Sequence, residues 1–181
     1  MAPRLDEFLF DTSALLKYYR DEDGSAAVRF WIDELPRQRG QRAHLFLPNI
    51  CIPEALSFFY RLCHLQHEVT DDTLKRLVAT FLNDLQQGKF AVYNLSRRDI
   101  FATEPLYGLA HEEYRRRRHR RQRLLSPMDI MVLAIAYTFK ERHPHVSLVT
   151  ADAQMAGVAR RIGVPALNPI DDETIPERLR P

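Results

Sequence analysis

The sequence predicts an α/β fold, a three-layer α/β/α sandwich in which helices cover both faces of a central parallel sheet. Short apolar runs, typical of buried strands, alternate with longer stretches of helical periodicity. Strands separated by helices pair in parallel, because each crossover through a helix is right-handed. Acidic residues near the ends of apolar runs fit this fold, since its functional sites form at the carboxyl ends of strands.

The amino-terminal elements follow from apolar spacing and capping residues. A first strand is predicted at residues 7 to 11, and Thr12 and Ser13 are predicted to cap the helix that begins at ALLKYY. A second helix is predicted from residue 24 to about residue 35. Its apolar face, predicted to lie in the core or in a dimer surface, contains Val28, Trp31, Ile32 and Leu35.

The middle of the chain is predicted to be mainly helical. PRQRGQR is predicted to be an exposed loop, and HLFLPN a brief apolar lead into a long helix from about residue 52 to residue 67. Thr70 is predicted to begin the next helix, which Gly88 ends.

The rest of the chain alternates strands with helices. After the second strand, the sequence predicts a helical stretch that is interrupted near Pro105. Ser126 and Pro127 are predicted to start an apolar helix. Gly163 is predicted to end the last helix. The three further strands are predicted at KFAVYNLS, VSLVTAD and VPALNP.

Length and composition fit one globular domain over residues 1–181, with 45% hydrophobic and 28% charged residues. No apolar stretch approaches a membrane span, and the amino terminus MAPRLDEFLFD carries acids where a signal peptide needs basic and then apolar residues. The sequence therefore predicts a cytoplasmic protein without membrane contact.

The two cysteines, Cys51 and Cys63, are twelve positions apart in one predicted helix, too far apart along it to form a disulfide bond. They are predicted to be buried thiols. His64 and His67 beside Cys63 suggest zinc, but no second ligand pair accompanies them in the sequence. Packing or solvent-exposed roles are predicted for both histidines.

Four acids organise the sequence. Asp11 closes EFLFD, Glu54 lies in LPNICIPE, Asp129 lies in SPMDIMVLAIA, and Asp152 follows SLVTA. Strand ends and the adjoining helix starts meet at one edge of an open α/β sheet. Carboxylates that converge there repel one another unless a divalent cation lies between them. The pattern predicts a shared metal site, with helix capping as the alternative for each acid.

The segments around these acids resemble the successive motifs of a known family. FLFDTSALLKYY, LPNICIPEAL, SPMDIMVLAIA and SLVTADAQM are similar to the acidic motifs of the PIN-domain family of metal-dependent ribonucleases, which includes VapC-type toxins of bacterial toxin–antitoxin pairs. The resemblance extends from about Phe8 to Pro169.

The resemblance implies an endoribonuclease that uses Mg²⁺ or Mn²⁺, with RNA, an antitoxin protein and a second copy of the chain as partners. It implies catalytic and metal-binding roles for Asp11, Glu54, Asp129 and Asp152. It also implies that three hydroxyl side chains position ligands or a phosphate: Thr12, Ser13 and Thr150. Glu54 would bind the metal directly, bind it through water, or act as a base.

The densest positive charge lies in YRRRRHRRQR, within a basic exposed segment at about residues 114–124. Arginines on every side of a helix leave no face to bury, so the segment must face solvent or a partner. We expect it to draw RNA phosphates toward the acids, with a solvated loop as the alternative. The arginines are Arg115, Arg116, Arg117, Arg118, Arg120, Arg121 and Arg123.

Two other functions compete with the nuclease. A noncatalytic RNA-binding or protein-interaction module would retain the fold and use the acids only as caps, and it would need no metal. A phosphatase with an aspartate nucleophile would fit FLFDTS, but that chemistry calls for a second carboxylate two residues later, where this chain has Ser13.

Overall fold

The computed structural model describes residues 4–37, 41–116, 124–171, 173 and 175–181. Five strands form one sheet in the order β3-β2-β1-β4-β5, and every neighbouring pair is parallel. The strands are β1 (Arg4–Phe10), β2 (Gln41–Pro48), β3 (Ala91–Tyr93), β4 (Val146–Val149) and β5 (Ala166–Leu167). The predicted central parallel sheet is confirmed.

Two layers of helices enclose the sheet, which completes the predicted α/β/α sandwich. The first layer contains α1 (Thr12–Tyr19), α2 (Ser25–Arg29), α3 (Cys51–His64) and α4 (Asp71–Gln86). The second contains α5 (Arg97–Phe101), α6 (Thr103–Arg116), α7 (Pro127–Phe139) and α8 (Ala153–Arg161). Short turns of π-helix at Phe30–Glu34 and of 3₁₀-helix at Leu35–Arg37 and Glu177–Leu179 complete the described elements.

The hydrophobic core surrounds the central strand β1 and includes most of α7. Phe8, Leu9 and Phe10 of β1 are all buried, because β1 is the central strand and pairs with β2 and β4. Trp31 belongs to the core and not to an open surface: it is fully buried, its ring stacks on Phe8 at 6.1 Å, and its indole N–H donates to the Leu179 carbonyl at 2.7 Å.

The predicted lead-in at HLFLPN and the end of the predicted loop at PRQRGQR are wrong. All of HLFLPN except Asn49 belongs to β2, and so do the last two residues of PRQRGQR. Residues 38–40 lie outside the described part of the chain. The register pairs Arg4 with Gln41 and Leu9 with Phe46. This long pairing with β1 decides the conformation of a segment whose own pattern is ambiguous.

The start of α1 also differs from its prediction. Thr12 and Ser13 are already helical, and the N-cap is Asp11: its backbone is extended, and its side chain accepts the Ser13 N–H. The predicted starts at Thr70 and Ser126 and the break before Pro105 are confirmed. None of the described helices combines the length and the apolar character that crossing a bilayer needs.

Candidate active site

Asp11 is the most buried of the four acids. It follows β1 at the carboxyl edge of the sheet, and its side chain is 4% exposed. Its Oδ2 accepts hydrogen bonds from the Ser13 hydroxyl at 2.6 Å, the Ser13 N–H at 3.3 Å and the Thr150 hydroxyl at 3.0 Å. Its Oδ1 accepts none from the residues that the structure describes.

The environment of Asp11 opposes its negative charge. Burial, and then repulsion from Asp129 and Glu54, raise its pKa to about 6, against hydrogen bonds from Ser13 and Thr150 that lower it. Repulsion of this kind acts only between nearby carboxylates in a poorly solvated place. Three acids from β1, α3 and α7 therefore share one electrostatic environment, which a bound cation would relieve.

Glu54 lies half-buried in the first turn of α3. Its Oε2 accepts a hydrogen bond from the Thr12 hydroxyl at 2.6 Å, so it is tied to the residue next to Asp11. The N-cap of α3 is Ile50, which makes no side-chain capping bond. Glu54 itself lies in the first turn of α3, where a carboxylate also complements the helix dipole.

Asp129 and Asp152 do cap helices, as the alternative interpretation predicts. Asp129 forms a capping box with Ser126, in which its Oδ2 accepts the Ser126 N–H at 2.7 Å. Asp152 is the N-cap of α8, and its Oδ1 accepts the N–H groups of Gln154 at 2.7 Å and Met155 at 3.0 Å. Each cap uses one carboxylate oxygen, and the other accepts no hydrogen bond from a described residue.

Hydroxyl groups join these elements. The Thr150 hydroxyl donates to Asp11 and accepts the Asp152 N–H at 3.1 Å. The Ser13 hydroxyl donates to Asp11 and accepts the Ala151 N–H at 3.0 Å. The turn between β4 and α8 is thereby fixed against the start of α1. The three hydroxyls of the motifs orient carboxylates and backbone at this edge.

The donor set fits a hard divalent cation. Among the described residues, each of the four carboxylates has one oxygen that accepts a hydrogen bond and one that accepts none, and Mg²⁺ and Mn²⁺ prefer oxygen ligands. Their spacing is wide: in the described chain, only Cys63, His64 and Asp71 bring three potential ligand atoms within 4.8 Å of one another. Such spacing suits an ion that keeps several water ligands.

The structure describes part of the basic segment. Arg115 and Arg116 are exposed in the last turn of α6. Along the sequence, the basic segment continues from these two residues toward Ser126, the N-cap of α7, and α7 carries Asp129 in its first turn. The other predicted nucleic-acid contacts lie outside the described residues: Arg117, Arg118, Arg120, Arg121 and Arg123.

A family model for the PIN domain matches residues 8–161. This chain belongs to the PIN domain family. The match contains all four acids of the candidate site and confirms the resemblance found in the sequence. Comparison with curated protein sequences finds no significant match.

Three solved structures share the fold of this chain. VapBC2 of Rickettsia felis, bound to a DNA fragment from its promoter, is 12% identical with a TM-score of 0.53, over 90% of this chain and 98% of that one. DNA-bound VapBC of Salmonella typhimurium is 15% identical with a TM-score of 0.52, over 91% and 98%. FitAcB of Neisseria gonorrhoeae is 16% identical with a TM-score of 0.51, over 90% and 97%. At these identities the likeness establishes the fold.

Proposed function

We propose that this PIN domain is an endoribonuclease that uses Mg²⁺ or Mn²⁺ to hydrolyse RNA phosphodiester bonds. One set of contacts supports the proposal: Asp11 at the end of β1 shares an electrostatic environment with Glu54 of α3 and Asp129 of α7, and the Thr150 hydroxyl links Asp11 to the backbone N–H of Asp152. A set of unrelated caps would not need to share an electrostatic environment, whereas Asp129 and Glu54 both raise the pKa of Asp11.

In this proposal Asp11, Asp129 and Asp152 hold the cation through their open oxygens. A bound divalent cation would lower the pKa of a water molecule and neutralise charge on the phosphate and on the leaving 3′ oxygen. Glu54, whose carboxylate accepts the Thr12 hydroxyl, would hold the cation directly, hold it through water, or take the proton of the attacking water.

The hydroxyl residues keep these carboxylates in their working orientation. Ser13 and Thr150 donate to Asp11, and Thr12 donates to Glu54. Hydrogen bonds to the charged form of a carboxylate also favour that form, which is the form that binds a cation. Their proposed role is thus to position the ligands, and contact with RNA is not required for it.

The biological setting of the proposal comes from the family and from the fold of its neighbours. The neighbours include two VapBC structures bound to DNA, and the family that the sequence resembles includes VapC-type toxins of toxin–antitoxin pairs. We infer that this chain is likewise the toxin of such a pair, with an antitoxin protein and a second copy of itself as partners. Its site of action would be cytoplasmic RNA.

The test is cleavage of a pool of structured and single-stranded RNAs with Mg²⁺, with Mn²⁺ and with chelator. We expect cleavage that needs an ion and that disappears in the double variant Asp11→Asn, Asp129→Asn. A control double variant, Asp21→Asn with Asp23→Asn, removes the same charge from exposed positions and should cleave normally. Ion-independent binding without cleavage by any of the three proteins would support the noncatalytic RNA-binding module instead.

Arg115 and Arg116 provide a test of the basic segment. Replacing both by Gln should weaken RNA binding several-fold at low salt and reduce the salt slope by about 1.4, because each lost phosphate contact removes about 0.7 for a single strand. Filter binding over a series of salt concentrations measures both quantities. The exposed pair Lys75 and Arg76 on α4, replaced in the same way, is the matched control. Equal effects of the two pairs would contradict a local role.

A further inference from the structure

A second group of potential metal ligands lies where α3 ends and α4 begins. Cys63 and His64 are the last two residues of α3, and Asp71 is the first of α4. Their ligand atoms all lie within 4.8 Å of one another. The Cys63 thiol donates to Asp71 Oδ1 at 3.1 Å. Sequence patterns miss this group because its third member belongs to the next helix.

The three ligand types suit zinc. Zinc binds thiolate, imidazole and carboxylate in tetrahedral sites, with bonds of about 2.0 to 2.3 Å that set neighbouring ligand atoms about 3.5 Å apart. The Cys63 to Asp71 contact is already close to that separation. Cys63 is 6% exposed, whereas His64 and Asp71 face solvent, so water can complete the coordination shell.

The turn that joins the two helices is already formed. Backbone N–H groups of Leu65 and Gln66 donate to the Arg61 carbonyl, and Glu68 N–H donates to the Leu62 carbonyl. Thr70 caps α4 through the Thr73 N–H. A metal here would not have to order the loop, which lowers the cost of binding.

We propose that Cys63, His64 and Asp71 bind one Zn²⁺ ion that fastens the end of α3 to the start of α4. The site is separate from the proposed nuclease centre: Glu54 is ten residues from His64 along α3, or about 15 Å at the rise of an α-helix. The inference therefore does not depend on the nuclease proposal.

The experiment is titration of the full chain with Co²⁺ and with Zn²⁺, in saturating Mg²⁺ so that the acidic site does not contribute. Co²⁺ reports sulfur ligation through a thiolate-to-cobalt charge-transfer band in the near ultraviolet. We expect one equivalent to produce this band, and Zn²⁺ to displace it. Cys63→Ser should lose the band and Cys51→Ser, the matched change at the other cysteine, should keep it.

The histidines give a second matched pair. His64→Asn should weaken Zn²⁺ binding at least tenfold and abolish the rise in melting temperature that Zn²⁺ causes in the wild type. His67→Asn should do neither, since His67 is outside the group and its φ of +56° is one that Asn tolerates. His64 is exposed, so its replacement should leave the fold intact. Absence of the band in the wild type, its survival in Cys63→Ser, or equal Zn²⁺ affinities of the two histidine variants would overturn the site.

Discussion

Asp11→Asn is expected to reduce RNA cleavage about a thousandfold while making the metal-free protein more stable at neutral pH. The loss of activity follows from removing a ligand, since cation stabilisation of the transition state amounts to several kcal/mol and each 1.4 kcal/mol is about tenfold in rate. The gain in stability follows from the pKa of Asp11, which burial and repulsion from Asp129 raise from 3.8 to about 6.

The sign of the pH dependence of folding stability follows from the difference between the raised pKa of Asp11 in the folded protein and its ordinary value in the unfolded chain. Because the folded state holds the Asp11 proton more tightly than the unfolded state, stability falls as pH rises from about 4 to about 6. Above pH 6 the ionised carboxylate costs roughly 3 kcal/mol in the absence of a cation. Asn has no such charge and still offers an oxygen to the hydroxyls of Ser13 and Thr150.

Melting temperatures at pH 5 and pH 8, in chelator and in Mg²⁺, test this prediction. In chelator the variant should gain about twice as much over the wild type at pH 8 as at pH 5, and Mg²⁺ should stabilise only the wild type. Asp23→Asn is the control for removal of an exposed charge. An Asp11→Asn protein that is inactive but no more stable at pH 8 would show that the carboxylate is not held at an electrostatic cost.

The sequence predicted the parts of the fold that local pattern determines. The FLF run of β1 and Leu148 and Val149 of β4 are apolar because both strands lie inside the sheet. Ser126 followed by Pro127 marked the start of α7 correctly. The β2 strand escaped prediction because its first half is polar and pairs with β1 alone, since β3 joins it only from Phe46 onward.

The sequence points to the four acids as a candidate set, but it does not reveal the side chains that hold them. Ser13 and Thr150 are 137 positions apart, yet both hydroxyls contact the same oxygen of Asp11. No local pattern reports a hydrogen bond between elements so distant in sequence. The N-cap at α1 was assigned to the wrong residue for a related reason, because Asp11, Thr12 and Ser13 are all suitable caps by type.

Capping and metal binding are compatible at this site. Asp129 and Asp152 each give one oxygen to the backbone of their own helix and keep the other open. In the proposed metal site, the cap would hold the ligand in one orientation, as outer-shell hydrogen bonds do in metal sites generally. Such a carboxylate can be a cap by position and a metal ligand in function.

Thr150→Val is expected to weaken the cation affinity of the site about 10- to 100-fold, the usual effect of losing an outer-shell hydrogen bond. Thr150 is fully buried, and Val has nearly its shape. The change removes one of the hydrogen bonds that lower the Asp11 pKa, so that pKa should rise further. It also leaves the Asp152 N–H without its hydroxyl partner.

Manganese affinity measured from pH 5 to pH 8 separates this effect from simple destabilisation. In the wild type, affinity should fall as pH drops toward the Asp11 pKa, because protons compete with the cation. In Thr150→Val the fall should begin at higher pH. Thr138→Val is the matched control: Thr138 is also buried and donates to a carboxylate, that of Asp99, which lies outside the site. If both variants shift the pH at which manganese affinity falls by the same amount, the Thr150 hydroxyl does not act through Asp11.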